Sequence, residues 1–447
     1  MHSITDIVRR FKQNWTEELS AHAIARACLD ADMTWHNSAL NPIVTIQIFF
    51  LQVLHGNTAC EHLPHLAGMS FTAAAYCKAR MRVKLEVLTM LLERCVKQLQ
   101  QETFDTSRWL GHRVFHVDGS SFSMSDTPEL QAHFGQPGGQ KIGCGFPTAH
   151  WLVLLHAGTG MITKMLAAPL RTHDMSKTVE LHPELQANDL LVADRGFCSY
   201  VHLALLLQRG VHGLLRIHQR TIVDFTPGRA YAHPGWGKSN HKQGMPRSRW
   251  LKQLGATDQI VQWLKSTNRP CWMSAEQFAA LPDSILVREL RYSIHEKGFR
   301  PKEITLVTTL LDSQRYSLSG LASQFRQRWE IETNFGHLKT TMKMDVLKCK
   351  TVHGVLRELQ VFALIYNLVR QVMLAAAGRQ EVDVRRISFI DALRWLQTAD
   401  PADELPKLVV NPYRPNRLEP RVRKRRPKEY LLMNKPRCQL KKELNAK

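Results

Sequence analysis

The sequence predicts a mixed α/β protein, with a helical region before the sheet and a basic, helical region after it. Three observations carry that expectation. Short apolar runs alternate with helix-like segments between about residues 110 and 350. Two of those runs, 114–117 and 190–193, lead directly into a carboxylate, Asp118 and Asp194. Before them, the first 105 residues carry apolar positions at helical spacing.

At 447 residues the chain is longer than one hydrophobic core sustains, so several domains are expected. A formal net charge of +21 and a pI of about 9.8 point to a polyanionic partner, nucleic acid above all. No run of 18 or more apolar residues is present, which argues against a membrane partner. The N-terminus lacks a basic-then-apolar leader, so a cytoplasmic, nucleoid-associated location is expected. Nine cysteines lie scattered without CxxC pairs and read as reduced thiols, not as a disulfide frame or zinc site.

In order along the chain, residues 1–105 read as a helical domain, with Asn41-Pro42 opening its most apolar helix. This region holds ten Lys/Arg and ten Asp/Glu, so the excess charge lies elsewhere. Its candidate DNA-reading helix is 71–82, with Lys78, Arg80 and Arg82. Residues 110–217 follow as alternating strands and helices, interrupted by a glycine-rich loop, 135–146, that carries Lys141. Residues 218–301 break the rhythm. They form a basic insertion of turns and short strands containing Trp236, Trp250, Trp263 and Trp272, residue types on which unpaired bases stack. Strand and helix patterns return over 302–350. Helices follow over 351–400, led by the long apolar run 352–377, and 401–447 is a basic, Pro-rich tail.

The stretch 325–339, F-R-Q-R-W-E-I-E-T-N-F-G-H-L-K, joins these parts. On a straight α-helix Phe325, Arg328, Glu332 and Lys339 fall within an arc of about 60°. Taken alone this is an ordinary solvated face with an Arg–Glu pair. Taken with Asp118 and Asp194 it supplies a third carboxylate. Three carboxylates on separate segments are hard oxygen donors suited to a pair of Mg²⁺ (or Mn²⁺) ions that promote an in-line phosphodiester displacement. Arg328 and Lys339 then become natural phosphate contacts.

The helix fits the pattern Y-x2-R-x3-E-x6-K with Phe325 in the Tyr position. With V-D-G-S-S (117–121), V-A-D-R-G-F (192–197), G-F-P-T-A-H (145–150) and V-T-T-L-L-D (307–312), the chain resembles the DDE transposases of bacterial insertion sequences, specifically the insertion-sequence-four family. The resemblance covers roughly residues 110–370. It implies a ribonuclease H-like catalytic domain over 110–217 and 302–350, interrupted by the β-rich insertion 218–301. Asp118, Asp194 and Glu332 would be its catalytic, metal-binding triad. Arg328 and Lys339 would contact element-end phosphates, with Phe325, Lys141, Arg195 and the four tryptophans as further DNA-facing candidates. Phe325 lacks the phenolic hydroxyl of the family pattern, so that position cannot donate a hydrogen bond to DNA.

The implied activity is binding of terminal inverted repeats, strand cleavage and joining of 3′-hydroxyl ends to target DNA by a homodimer. Two other readings remain open on the sequence: a non-catalytic DNA-binding derivative, and a ribonuclease H-like nuclease that cuts without joining.

Overall fold

Capping residues written in the sequence set the starts of the N-terminal helices. Ser20 accepts the Ala23 N–H at the head of α1 (Ala21–Asp30), and Asn41 accepts that of Val44 at the head of α2 (Pro42–Leu54). After the short α3 (Leu63–Ala67), Thr72 caps α4 (Ala73–Arg82), and the amphipathic α5 (Leu85–Leu99) ends this region. α2 is apolar nearly all round and is buried accordingly. In this computed structural model the described residues are 19–99, 107–170, 172, 174–233, 244–294, 302–398, 403–412, 433 and 435–446. Trp236 and the basic run within 413–432 lie outside them.

Ten strands form one sheet: β1 (Val114–Met124), β2 (Thr148–His156), β3 (Ile162–Pro169), β4 (Leu190–Ala193), β5 (His212–Arg216), β6 (Ser248–Gly255), β7 (Asp258–Leu264), β8 (Ser284–Ile294), β9 (Lys302–Thr308) and β10 (Val346–Leu347). Their order is β3–β2–β1–β4–β5–β9–β8–β7–β6, with β10 beside β1. β1, β4 and β5 run parallel, and the remaining neighbours along the path are antiparallel. The strands of the 218–301 segment therefore extend the sheet through β9. Helices α6 (Pro128–Phe134), α7 (Asp174–Thr178), α8 (Tyr200–Gln208) and α9 (Ala275–Ala279) connect them. The chain continues through α10 (Leu318–Gln327), α11 (Glu330–Gly336), α12 (Val352–Gln380), α13 (Phe389–Thr398) and α14 (Arg437–Asn445).

Alternation along each strand sorts side chains to two faces. Phe115, Val117, Leu191, Ala193 and Leu215 join one apolar cluster, packed on α8. Val114, Leu190, Val192, Leu214, Leu290, Ile304 and Leu306 join another, packed on α10 through Leu321 and Phe325. By the same alternation His116, Asp118, Asp194, Arg216 and Tyr292 continue the α10 face. α12 is long and apolar enough to cross a membrane, yet most of it is buried in the third cluster with α1, α2, α5 and β1–β3.

Two local expectations differ from the structure. The first concerns the strand before Asp118, which does not stop there: β1 runs on to Met124. Its D-G-S-S segment reads as a turn, but antiparallel pairing with β2 from Phe115↔His156 to Ser123↔Thr148 holds it extended. What ends at Val117↔Ala193 is the parallel pairing with β4. A Cβ at Gly119 would come within 2.8 Å of the His150 ring, so a larger residue here would require that ring to shift.

The second difference is in the motif helix, which is not one straight rod. Between α10 and α11 the backbone bonds tighten to i→i−3, from Arg328 N to Phe325 O and from Ile331 N to Arg328 O, and residues 337–341 form a π-helical turn. The 60° arc of an ideal helix is therefore not kept.

Candidate active site

The register that ends β1–β4 pairing at Val117↔Ala193 brings the next residue of each strand, Asp118 and Asp194, side by side on the face that α10 and α11 cover. β4 pairs with β5 at Ala193↔Leu215, which puts Arg216 beside Asp194 in the same way. Glu332 sits in the first turn of α11 and is exposed. α11 is fixed over β1 and β2 by Ile331 and Phe335, the latter against the Trp151 ring at 4.9 Å.

Asp118 accepts at both oxygens: Oδ1 from the Gly119 N–H at 2.8 Å, and Oδ2 from Arg328 Nη1 at 2.8 Å. Burial pushes its pKa up. Arg328 and the Gly119 N–H oppose that shift, while Asp194 and Glu332 reinforce it. Asp118 thus feels the charge of both other carboxylates.

Asp194 has a looser environment. Arg216 Nη1 stands 3.6 Å from Oδ1, beyond hydrogen-bond reach, and that buried oxygen has no hydrogen-bond partner among the described residues. Arg328 is 5% exposed and its Nε is also without a partner there. His116, two residues before Asp118, is buried, and burial together with Arg328 lowers its pKa to about 3, so it stays neutral. Lys339, on the π-turn, donates to Ser121 O at 2.8 Å and Ser120 Oγ at 3.3 Å, two residues of β1 that follow Asp118.

A divalent cation fits the donor chemistry here, with three hard oxygen ligand groups and one buried, unpartnered carboxylate oxygen. As the side chains stand, among the described residues no three of His, Cys, Asp or Glu converge closely enough to share one ion. Arg328 holding Asp118 and the outward Glu332 account for that in physical terms.

The other residues expected to face DNA separate. Phe325 is a core residue, 2% exposed in the cluster between α10 and the sheet. It does not present its ring to a partner. Arg195 is exposed and donates to Gln219 Oε1 at 2.6 Å. Lys141 is exposed on the glycine-rich loop, which Arg437 of α14 grips through Cys144 O and the Phe146 ring.

Trp263 and Trp272 pack against the cluster on the α8 face, opposite the carboxylates, and the Trp263 indole N–H is spent on buried Glu289 at 2.8 Å. Trp250 is half-exposed on β6, the far edge strand. In α4, Arg80 lies over the Phe49 ring and donates to Gln52, leaving Lys78 and Arg82 as its exposed cations.

Three residues around this face were not singled out from the sequence: Arg216 beside Asp194, Tyr292 farther along the sheet, and Trp329 at the α10–α11 break. Trp329, 55% exposed at the α10–α11 break, had the available signal of standing next to Arg328 in the motif. Arg216 and Tyr292 had none, because only sheet register brings them to this face.

Comparison with known proteins agrees with the geometry. Residues 109–368 match the family model described as "Transposase DDE domain". Over 376 residues, 80% of this chain and 77% of the relative, the chain is 23% identical to the transposase InsG for insertion sequence element IS4 of Escherichia coli K12. It is 28% identical over 199 residues to InsZ of the same organism, which carries a transposase name; that match spans 43% of this chain and 62% of InsZ. Among solved structures, a piggyBac transposase synaptic complex with hairpin DNA aligns over 89% of this chain and 80% of its own, at 9% identity and a TM-score of 0.37.

Proposed function

The chain belongs to the transposase DDE-domain family and is a DNA transposase, and from that premise we propose that it cuts and joins DNA at Asp118, Asp194 and Glu332. The observation that carries the site assignment is the strand register that makes Asp118 and Asp194 neighbours under Glu332, close enough that both other carboxylates bear on the ionisation of Asp118.

In this reading the three carboxylates hold two divalent ions, Mg²⁺ or Mn²⁺. When bound, the ions supply Lewis-acid activation of the attacking oxygen and charge neutralisation at the leaving one. The chain's own groups do the rest. Arg328 exchanges its single contact with Asp118 for a phosphate oxygen of the element end. Lys339, already reaching across β1, adds a second cation at the same backbone. Neutral His116 beneath Arg328 adds no competing charge.

The same displacement serves twice, first with water cutting the element end and then with the freed 3′-hydroxyl attacking target DNA. Pairing two ends calls for two copies of the chain on double-stranded DNA, acting at the bacterial nucleoid. The ribonuclease H-like organisation is supported by the antiparallel β3–β2–β1 unit joined to parallel β4 and β5, with both aspartates at the seam. The layout proposed with it is 1–105 helical, 110–217 with 302–350 catalytic, 218–301 inserted, 351–400 helical and 401–447 basic.

The test is incubation with labelled DNA carrying the inverted repeats that flank the gene, plus Mg²⁺. Asp118→Asn, Asp194→Asn and Glu332→Gln are expected to bind these ends without cutting them, whereas the parent cuts and joins. Cutting by any of the three at the parental rate refutes the site assignment. Cutting without joining by the parent leaves the nuclease reading instead.

A further inference from the structure

Tyr292 lies on β8, within the segment that interrupts the catalytic strands, yet alternation directs it to the same face as the carboxylates. The register is explicit. Arg216 of β5 pairs with Leu306 of β9, Leu306 pairs with Leu290 of β8, and Tyr292 is the next residue of β8 on that face. α10 covers this face, and the Tyr292 ring packs against the same apolar cluster that holds Phe325.

The ring is half-exposed, but its oxygen is buried and has no hydrogen-bond partner among the described residues. A phenolic oxygen buried without a partner is costly, and such groups call for a specific reason. Its surroundings supply one. Burial raises the phenol's pKa, and three cations, Arg326, Arg216 and Arg328, work against that rise. These arginines grade inward, with Arg326 exposed, Arg216 partly covered and Arg328 closed off beside Asp118. Three cations within electrostatic reach of a hydroxyl that can donate supply the chemistry of an oxyanion site.

Resting on the transposase reading, we propose that Tyr292 supplies the hydroxyl donor of a phosphate subsite formed with Arg216, Arg326 and Arg328, and that its ligand is a phosphodiester oxygen of the element-end DNA. The motif position 325 has no hydroxyl, and Tyr292 brings one to the neighbouring position in the same cluster from a different strand.

The test uses the full-length chain and a labelled duplex bearing the inverted repeat, with a duplex of unrelated sequence as control. Tyr292→Phe removes only the oxygen. It is expected to weaken end binding about tenfold or more, as a lost bond to a charged group does, with an unchanged melting temperature. Combining Tyr292→Phe with Arg328→Lys is expected to cost less than the sum of the single changes. Parental end binding by Tyr292→Phe overturns the inference, as does strict additivity with Arg328→Lys. If the parent itself neither binds nor cuts these ends, the transposase reading has failed. If the parent cuts, Glu332→Gln does not, and Tyr292→Phe is normal, only the subsite has failed.

Discussion

The two ends of the β1–β4 pair carry the same kind of ion pair built in opposite ways. At the start of the strands, Arg113 grips Asp189 through two parallel bonds of 2.7 and 2.6 Å, and the Gln186 N–H satisfies the carboxylate further at 2.7 Å. Both side chains are almost wholly buried. At the far end, Arg328 makes one bond to Asp118 and leaves Nε unpartnered, while Arg216 stops 3.6 Å short of Asp194. Bidentate geometry with both carboxylate oxygens engaged holds a pair in one arrangement. A single bond that leaves the guanidinium Nε orphaned can be traded for another ligand at little cost. The first end is a staple; the second is ready for exchange.

The largest effect should come from breaking the staple. Arg113→Met leaves Asp189 as a buried, uncompensated carboxylate and is expected to cost about 3–5 kcal/mol in denaturant unfolding. Arg113→Met combined with Asp189→Leu should regain most of that, since an apolar pair removes the stranded charge.

Acid should also act through buried histidines. His182 and His202 face each other at 2.9 Å between ring nitrogens, and burial lowers their pKa values to about 3 and about 4; His116 and His156 fall to about 3 and His337 to about 4. Each titrates near 6.5 in the unfolded chain, which therefore binds more protons than the folded one below that pH. Their contribution is complete above about pH 6.5 and is lost as pH falls toward 4. Unfolding free energies measured across that window should decline steadily. A flat profile would mean that these rings accept protons without unfolding.

How much of this was legible in the sequence follows from how local each cause is. Strand β4 was read with the same bounds from its apolar run, and the N-cap at Asn41 marked α2. Asp118 and Asp194 were found because apolar runs lead straight into them. The length of β1 was not legible, since D-G-S-S favours a turn and only β2 overrides it. The burial of Phe325 and the break after Arg328 were missed for a related reason: amphipathic spacing assumes a straight helix, and the tightened turn depends on packing against the sheet. Arg216 and Tyr292 were invisible because three strands distant in sequence must align to bring them to one face. That the 218–301 strands extend the sheet is likewise a matter of long-range pairing.

The comparison is sharpened most finely by its weaker end. Arg328→Met removes the only side-chain donor to Asp118 among the described residues and leaves that carboxylate under the repulsion of the other two, so about 1 kcal/mol should be lost in metal-free buffer. Mg²⁺ should restore it, and should raise the melting temperature of this variant more than that of the parent, in which Arg328 competes for Asp118. An identical Mg²⁺ shift in both proteins would mean that Arg328 does not stand in the ion's way. Asp194→Asn should change stability least, by a few tenths of a kcal/mol, because its partner is already out of hydrogen-bond range and both side chains keep solvent contact. A loss there as large as that of Arg113→Met would erase the distinction between the two ends, since it would make Asp194 as much a structural anchor as Asp189.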